Sequence, residues 1–149
     1  MKIVVVDIDG TIARVGDRLK HLQYDTPDWD AFYADSFDDD PINEIIDLVS
    51  DLYCAKYDIV FCTARSECVR DKTVCWLNKH FGTGIISYTR LLMRHDGDNR
   101  HDTIVKPELL LNSGITFNSI AFILEDRNSM VKKWRELGLT CLQVDDYEF

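Results

Sequence analysis

Lys2-Ile3-Val4-Val5-Val6-Asp7-Ile8-Asp9-Gly10-Thr11 is the stretch that decides the fold, a short β-branched run that breaks off at two acids and a glycine. A run apolar at every position, rather than alternating, suits a strand buried on both faces of a parallel sheet. The pattern returns at Ile59-Val60-Phe61-Cys62 and Ser119-Ile120-Ala121-Phe122-Ile123-Leu124, with shorter candidates at Arg90 to Met93 and Thr140 to Val144. Helical periods lie between them: Pro41 to Leu52, with Ile42, Ile45, Ile46, Val49 and Leu52 on one face; Ser66 to His80; Lys106 to Leu111; and Ser129 to Leu137. Asp40-Pro41 reads as a capping acid before a proline at the first helical position, and Gly138 as a helix stop. Strands alternating with helices imply an α/β fold, a three-layer sandwich around a five-stranded parallel, Rossmann-like sheet. Residues 12–40 fit neither period and are expected to form a small cap-like insert after strand one. The 149 residues, 46% of them apolar, are read as one domain spanning 1–149.

Charge narrows the function classes. A net charge of −9 argues against an extended nucleic-acid footprint, which needs a basic face. The acidity belongs to one segment: Asp25 to Asp51 holds ten acidic residues and no Lys or Arg, leaving 16 acids against 17 bases elsewhere. That run reads either as solvated surface or as an acidic lip that disfavours long polyanions. The first apolar run is cut by Asp7, too early for a secretory core or a membrane span, so no membrane association and a cytoplasmic location are expected. Five cysteines, an odd number without CxxC spacing, are expected to be reduced and buried.

Open α/β sheets bind ligands at the carboxyl ends of their strands, which is where Asp7, Asp9 and Thr11 stand. Two carboxylates two residues apart can divide the labour of phosphate-ester cleavage, one attacking phosphorus while the other moves a proton. Gly10 lets the chain turn away, and Thr11 can donate to a phosphate oxygen. Taken alone, the motif also reads as an Asp-Gly turn. Three more elements fall at the other strand ends. Thr63 can hold a phosphoryl group that Arg65 clamps with its planar fork. Lys106 can neutralise it, and Glu125-Asp126 can complete a magnesium shell, since an oxygen-only donor set favours magnesium over zinc. The loop from Arg94 to Lys106 places Arg94 and Arg100 where they can fork onto phosphate and stack on a base. Asp102 then either orients Lys106 or an arginine, or caps the helix beginning near Lys106.

These four motifs, Asp7-Ile8-Asp9-Gly10-Thr11, Thr63, Lys106 and Glu125-Asp126, resemble those of the haloacid dehalogenase superfamily. Within it the chain looks most like the phosphatase domain of phage and bacterial polynucleotide kinase-phosphatases. The closer match rests on Asp17-Arg18, Tyr24 to Trp29, Thr63-Ala64-Arg65, Leu92-Met93-Arg94, Gly97 to Lys106, and Glu125-Asp126-Arg127 with Val131, Trp134-Arg135 and Gly138. The resemblance implies a magnesium-dependent phosphomonoesterase working through an aspartyl-phosphate, with Asp7 as nucleophile and Asp9 as general acid-base. Arg18, Arg65, Thr63, Asp102 and Lys106 complete the catalytic set; Thr11, Arg94, Arg100 and Arg127 bind substrate; Asp7, Asp9 through its backbone carbonyl, and Asp126 hold the metal. Glu125 stands where the family often has Asp and is expected behind the metal ligands. The implied substrates are nucleic-acid 3' ends or nucleoside 3'-monophosphates, the alternative being another small phosphomonoester such as a 5'-nucleotide or sugar phosphate. No Gly-Lys dipeptide occurs, so no GxxxxGK[ST] phosphate loop is present in these residues. A separate kinase partner and a homo-oligomer are both compatible with the sequence. A signalling receiver, the non-enzymatic alternative, needs an aspartate ending a middle strand; here those strands end in Cys62-Thr63 and Met93-Arg94.

Overall fold

In the computed structural model, which describes residues 2–86 and 90–147, β1 (Ile3–Val6) is buried along its whole length. It lies at the centre of a parallel sheet with β2 (Asp58–Ser66), β3 (Arg90–Arg94), β4 (Ile120–Arg127) and β5 (Cys141–Tyr147), in the order β3-β2-β1-β4-β5. The helices are α1 (Trp29–Ala34), α2 (Asn43–Cys54), α3 (Arg70–Phe81), α4 (Thr83–Ile86), α5 (Asp102–Asn112) and α6 (Asn128–Glu136). Alternation along β1 explains the three layers. Ile3 and Val5 pack with Leu110 of α5 and with Met130, Val131 and Trp134 of α6. Val4 and Val6 pack on the opposite face with Ile46 and Val49 of α2 and Trp76 and Leu77 of α3.

Register sets the site. Val6 pairs with Phe61 of β2 and with Leu124 of β4, so Asp7, Cys62 and Glu125 emerge level at one edge. β2 and β4 both run past the ends of their apolar stretches, through Thr63 to Ser66 and Glu125 to Arg127. α5 begins at Asp102, four residues before Lys106, because His101 Nδ1 caps it by accepting from the Thr103 backbone N–H at 3.3 Å. Lys106 therefore sits inside the helix rather than opening it. α2 likewise starts at Asn43 and not at Pro41, which instead bridges Ala13.

That bridge closes the base of the insert. The Arg14 backbone N–H donates to Asp40 O at 2.8 Å and Ile42 N–H to Ile12 O at 2.8 Å, so the segment leaves and returns at one place. It contains two 3-10 segments, Gly16–Leu22 and Asp35–Asp38, and α1, whose cap Asp28 accepts from the Ala31 N–H at 2.9 Å. All five cysteines are free, but only Cys62 and Cys141 are buried; Cys54, Cys68 and Cys75 lie on exposed helical surface, contrary to expectation. Among the described residues no helix is long and apolar enough to cross a membrane.

Candidate active site

Asp7 is fixed by its backbone N–H donating to Leu124 O at 3.0 Å, which brings its carboxylate beside Glu125 and Asp126. From the second turn of α5, Lys106 Nζ donates to Asp7 at 2.6 Å and to Glu125 at 2.9 Å. Burial works against the ammonium, but Asp7 and Glu125 outweigh it and hold Lys106 well above its usual range. One ammonium does not balance three acids. Burial and the neighbouring Glu125 charge raise Asp7 well above the ordinary carboxylate range and push Asp126 up to about 7.

Asp7, Glu125 and Asp126 present ligand atoms within 4.8 Å of one another. Asp126 Oδ2 is buried without a hydrogen-bond partner among the described residues, whereas Oδ1 accepts from Thr11 at 3.0 Å. Gly10 has φ +83°, and a Cβ there would stand 2.1 Å from Asp126 Oδ2, so only glycine lets the backbone pass this close. A hard, oxygen-only donor set with an orphaned carboxylate oxygen fits a magnesium ion. Glu125 is less available: Lys106 and the Trp134 indole N–H, at 3.5 Å, engage one oxygen, and the backbone N–H groups of Asp126 and Arg127 approach the other at 3.3 and 3.5 Å. Glu125 thus anchors Lys106. Thr11, expected to donate to phosphate, spends its hydroxyl on Asp126 and, at 3.3 Å, on Asp7.

The Asp9 side chain turns away from this acidic group. It accepts from Arg18 Nη2 and Arg65 Nη2, both at 2.6 Å, and Asp39 closes the cluster by accepting from Arg18 Nε at 2.7 Å and from Arg65 Nη2 at 3.3 Å. Burial opposes the charge on Asp9, yet the two guanidiniums hold it well below the ordinary carboxylate range. Arg65 is 0% exposed and is kept from a phosphoryl group by this engagement; it clamps Asp9 instead. Asp39 escaped the sequence reading because it sits in the run Asp38-Asp39-Asp40, which looks like solvated surface. The only signal for it was the need of two buried arginines for a second acid.

Asp102 is buried and bridges Arg94 and Arg127; neither Lys106 nor the helix cap is its partner. Arg94 is tied down further by donating to Ala64 O at 3.0 Å and Arg100 O at 2.6 Å. Arg100 points elsewhere, to Asp98 and Glu108 at 2.8 Å each, with half its side chain exposed. Of the four expected substrate contacts, Arg127 lines the cavity, Thr11 and Arg94 are engaged by residues that line it, and Arg100 faces neither.

A cavity of about 20 Å³ opens over these groups. Asp7, Asp9, Thr63, Asp102, Lys106, Asp126 and Arg127 line it. Thr63 accepts from the Arg65 backbone N–H at 3.2 Å, which leaves its hydroxyl as a donor. Phe32 and Tyr33 of α1 also line it, and sequence reasoning missed them. Their signal was aromatic spacing, Trp29, Phe32 and Tyr33, inside an acidic segment. Burial and the nearby charges of Asp9 and Asp102 raise the Tyr33 phenol, keeping it neutral.

A family profile described as "Polynucleotide kinase PNKP phosphatase domain" matches residues 1–149. Among solved structures, a chain of the Pnkp1/Rnl/Hen1 RNA repair complex superposes with a TM-score of 0.82 at 29% identity, covering 99% of this chain and 43% of that one. This chain thus spans less than half of that relative's length. CbbY from Rhodobacter sphaeroides, in complex with phosphate, gives 0.66 at 13% identity, covering 99% and 87%. D,D-heptose 1,7-bisphosphate phosphatase from B. bronchiseptica, complexed with magnesium and phosphate, gives 0.60 at 13%, covering 96% and 80%. The last two likenesses are of fold.

Proposed function

The chain belongs to the family of the polynucleotide kinase PNKP phosphatase domain, a haloacid dehalogenase phosphatase, and from that membership we propose that it removes 3'-phosphates from nucleic-acid ends or nucleoside 3'-monophosphates, with magnesium, through an aspartyl-phosphate on Asp7. The observation that carries the chemistry is the Asp7 carboxylate at the floor of a small cavity, paired with Lys106 and bordered by Arg127. In the first half-reaction an Asp7 oxygen bonds to phosphorus, the ester P–O bond breaks, and the leaving 3' oxygen takes a proton from Asp9. In the second, Asp9 takes a proton from water, the water oxygen bonds to phosphorus, and the acyl P–O bond breaks to free Asp7 and inorganic phosphate. Held by Arg18 and Arg65, Asp9 is set as the base of the second half. To act as an acid in the first, it must loosen part of that hold. Lys106 and Arg127 offset the phosphoryl charge from two sides. Magnesium, which Asp7 and Asp126 would hold, supplies further stabilisation of that charge when bound. The RNA repair setting of the 29%-identical relative supports broken nucleic-acid ends as the substrate class.

The test is phosphate release from a 3'-phosphorylated oligonucleotide and its 5'-phosphorylated counterpart, with magnesium and with excess chelator, for the wild type and Asp7→Asn. Release from the 3' substrate, only with magnesium, is expected, and the variant should lose several orders of magnitude. Preferential 5' release would make the protein a general nucleotidase. Full activity in chelator would remove the metal, and an Asp7→Asn rate above about a tenth of wild type would remove the covalent step.

A further inference from the structure

The catalytic cavity, at about 20 Å³, is little larger than the space one water needs, far too small for a nucleoside, which has to stay outside. What borders the mouth is α1 of the insert. Trp29, Phe32 and Tyr33 fall at i, i+3 and i+4, on one face of that helix. Phe32 is 0% exposed and lies under the Arg18 guanidinium, 4.3 Å from its ring centre. Tyr33 lines the cavity. The Trp29 ring stacks on Tyr33 at 6.1 Å and 28° and meets Phe32 edge-on at 5.7 Å, yet remains 41% exposed. A row of rings therefore runs from the phosphate cavity outward and ends in an indole that is held in place and open to solvent.

We propose that Trp29 is the platform on which the base of the phosphate-bearing nucleotide stacks, extending the Tyr33–Trp29 row by one more ring. This rests on the reading of the substrate as a nucleoside phosphate. Stacking on an indole tolerates any base, since every base has a π face. The surroundings of the platform are mostly acidic: Asp28 caps α1, Asp30 lies in it and Asp35 follows it, with Lys72 at its far end donating to Ala34 O, which disfavours a long phosphate backbone alongside Trp29. The terminal base is recognised, and the rest of the strand is left in solvent. Specificity for a nucleotide over a sugar phosphate comes from this stack rather than from base-edge hydrogen bonds.

Two measurements test this. First, kcat/KM is compared for a 3'-phosphorylated oligonucleotide and for the same strand ending in a base-free 3'-phosphate, in wild type, Trp29→Ala and Trp29→Phe. The ratio between the two substrates should fall about tenfold or more in Trp29→Ala, mainly through KM, and be largely kept in Trp29→Phe. Second, the fluorescence of Asp7→Asn is followed on titration with the same two ends. Trp134 and Trp76 are buried against Glu125 and Asp39, so a response common to both ends reports charge in the site and only the difference between the two ends reports Trp29. Stronger quenching by the base-bearing end supports the platform. An unchanged ratio in Trp29→Ala, or equal quenching by both ends, overturns it while leaving 3'-phosphatase activity standing. A wild type that spares 3'-phosphorylated ends altogether overturns both.

Discussion

Replacing Gly10 with alanine separates the metal cradle from the backbone turn that builds it. The new Cβ would stand 2.1 Å from Asp126 Oδ2 and 2.6 Å from its Cγ, so the carboxylate has to retreat by roughly 1 Å or more to regain van der Waals separation. That retreat breaks the 3.0 Å bond from Thr11, a charged hydrogen bond worth about 1.5–3 kcal/mol. The residue must also hold φ +83°, which costs an L-amino acid about 1–2 kcal/mol. Together these come to about 2.5–5 kcal/mol, a fall in melting temperature of roughly 5–20 °C for a domain this size. Gly114 supplies the control, because it has φ +81° with nothing within 4 Å of an added Cβ. Gly114→Ala should bear the backbone cost alone, about 1–2 kcal/mol. The assay is thermal unfolding by circular dichroism, with a magnesium titration of phosphate release. Gly10→Ala should need at least about tenfold more magnesium for half-maximal rate, the scale on which disturbed ligand support weakens a metal site. A Gly10→Ala protein that melts with Gly114→Ala and keeps the wild-type magnesium titration would refute the cradle.

Two further substitutions probe the arginine loop. Asp102→Asn leaves Arg94 and Arg127 facing a neutral amide; turnover should fall at least about a hundredfold and stability by about 3 kcal/mol, read from single-turnover rates and urea unfolding. Wild-type turnover in that variant would mean that Arg127 needs no anchor at the cavity wall. Arg100→Ala, by contrast, removes only exposed contacts to Asp98 and Glu108, so turnover and melting temperature should stay near wild type, within about twofold in rate. A tenfold loss would show that Arg100 swings into the site during the reaction.

How much was legible follows from what each residue needs. β1 could be read because it is apolar on both faces and stops at acids. The ends of β2 and β4 could not, since Thr63, Arg65, Glu125 and Asp126 are polar residues buried by pairing, and on paper they resemble turns. The start of α5 was hidden because Asp102-Thr103-Ile104-Val105 contains three β-branched residues, poor helix formers; the His101 cap and the burial of Val105 at 2% exposure override that preference. Asp7, Asp9 and Asp126 were placed at the site by strand-end logic and Lys106 by its helix after a strand, and the resemblance to the haloacid dehalogenase motifs joined them. The direction of each arginine was beyond that logic. A guanidinium's partner depends on distances that only the folded chain sets, which is why Arg65 was assigned to phosphate and is found on Asp9.

Among the described residues the buried charges sort into three networks, and their balance says what the site is built to receive. Asp9 and Asp39 against Arg18 and Arg65 are neutral as a set, so this network is complete without a ligand and serves to hold Asp9. Asp7, Glu125 and Asp126 against Lys106 lack two positive charges, the charge of one magnesium ion. Asp102 bridges Arg94 and Arg127, and Arg127, which lines the cavity, also feels the charges of Asp7 and Glu125. Buried charge without a partner is costly, and Asp7 and Asp126 register that cost as carboxyls raised above their ordinary range. An excess of acid at a cavity that an anchored guanidinium also lines suits a divalent cation. The segment that gives the chain its net acidity takes part in this arrangement: Asp39 keeps the two arginines on Asp9.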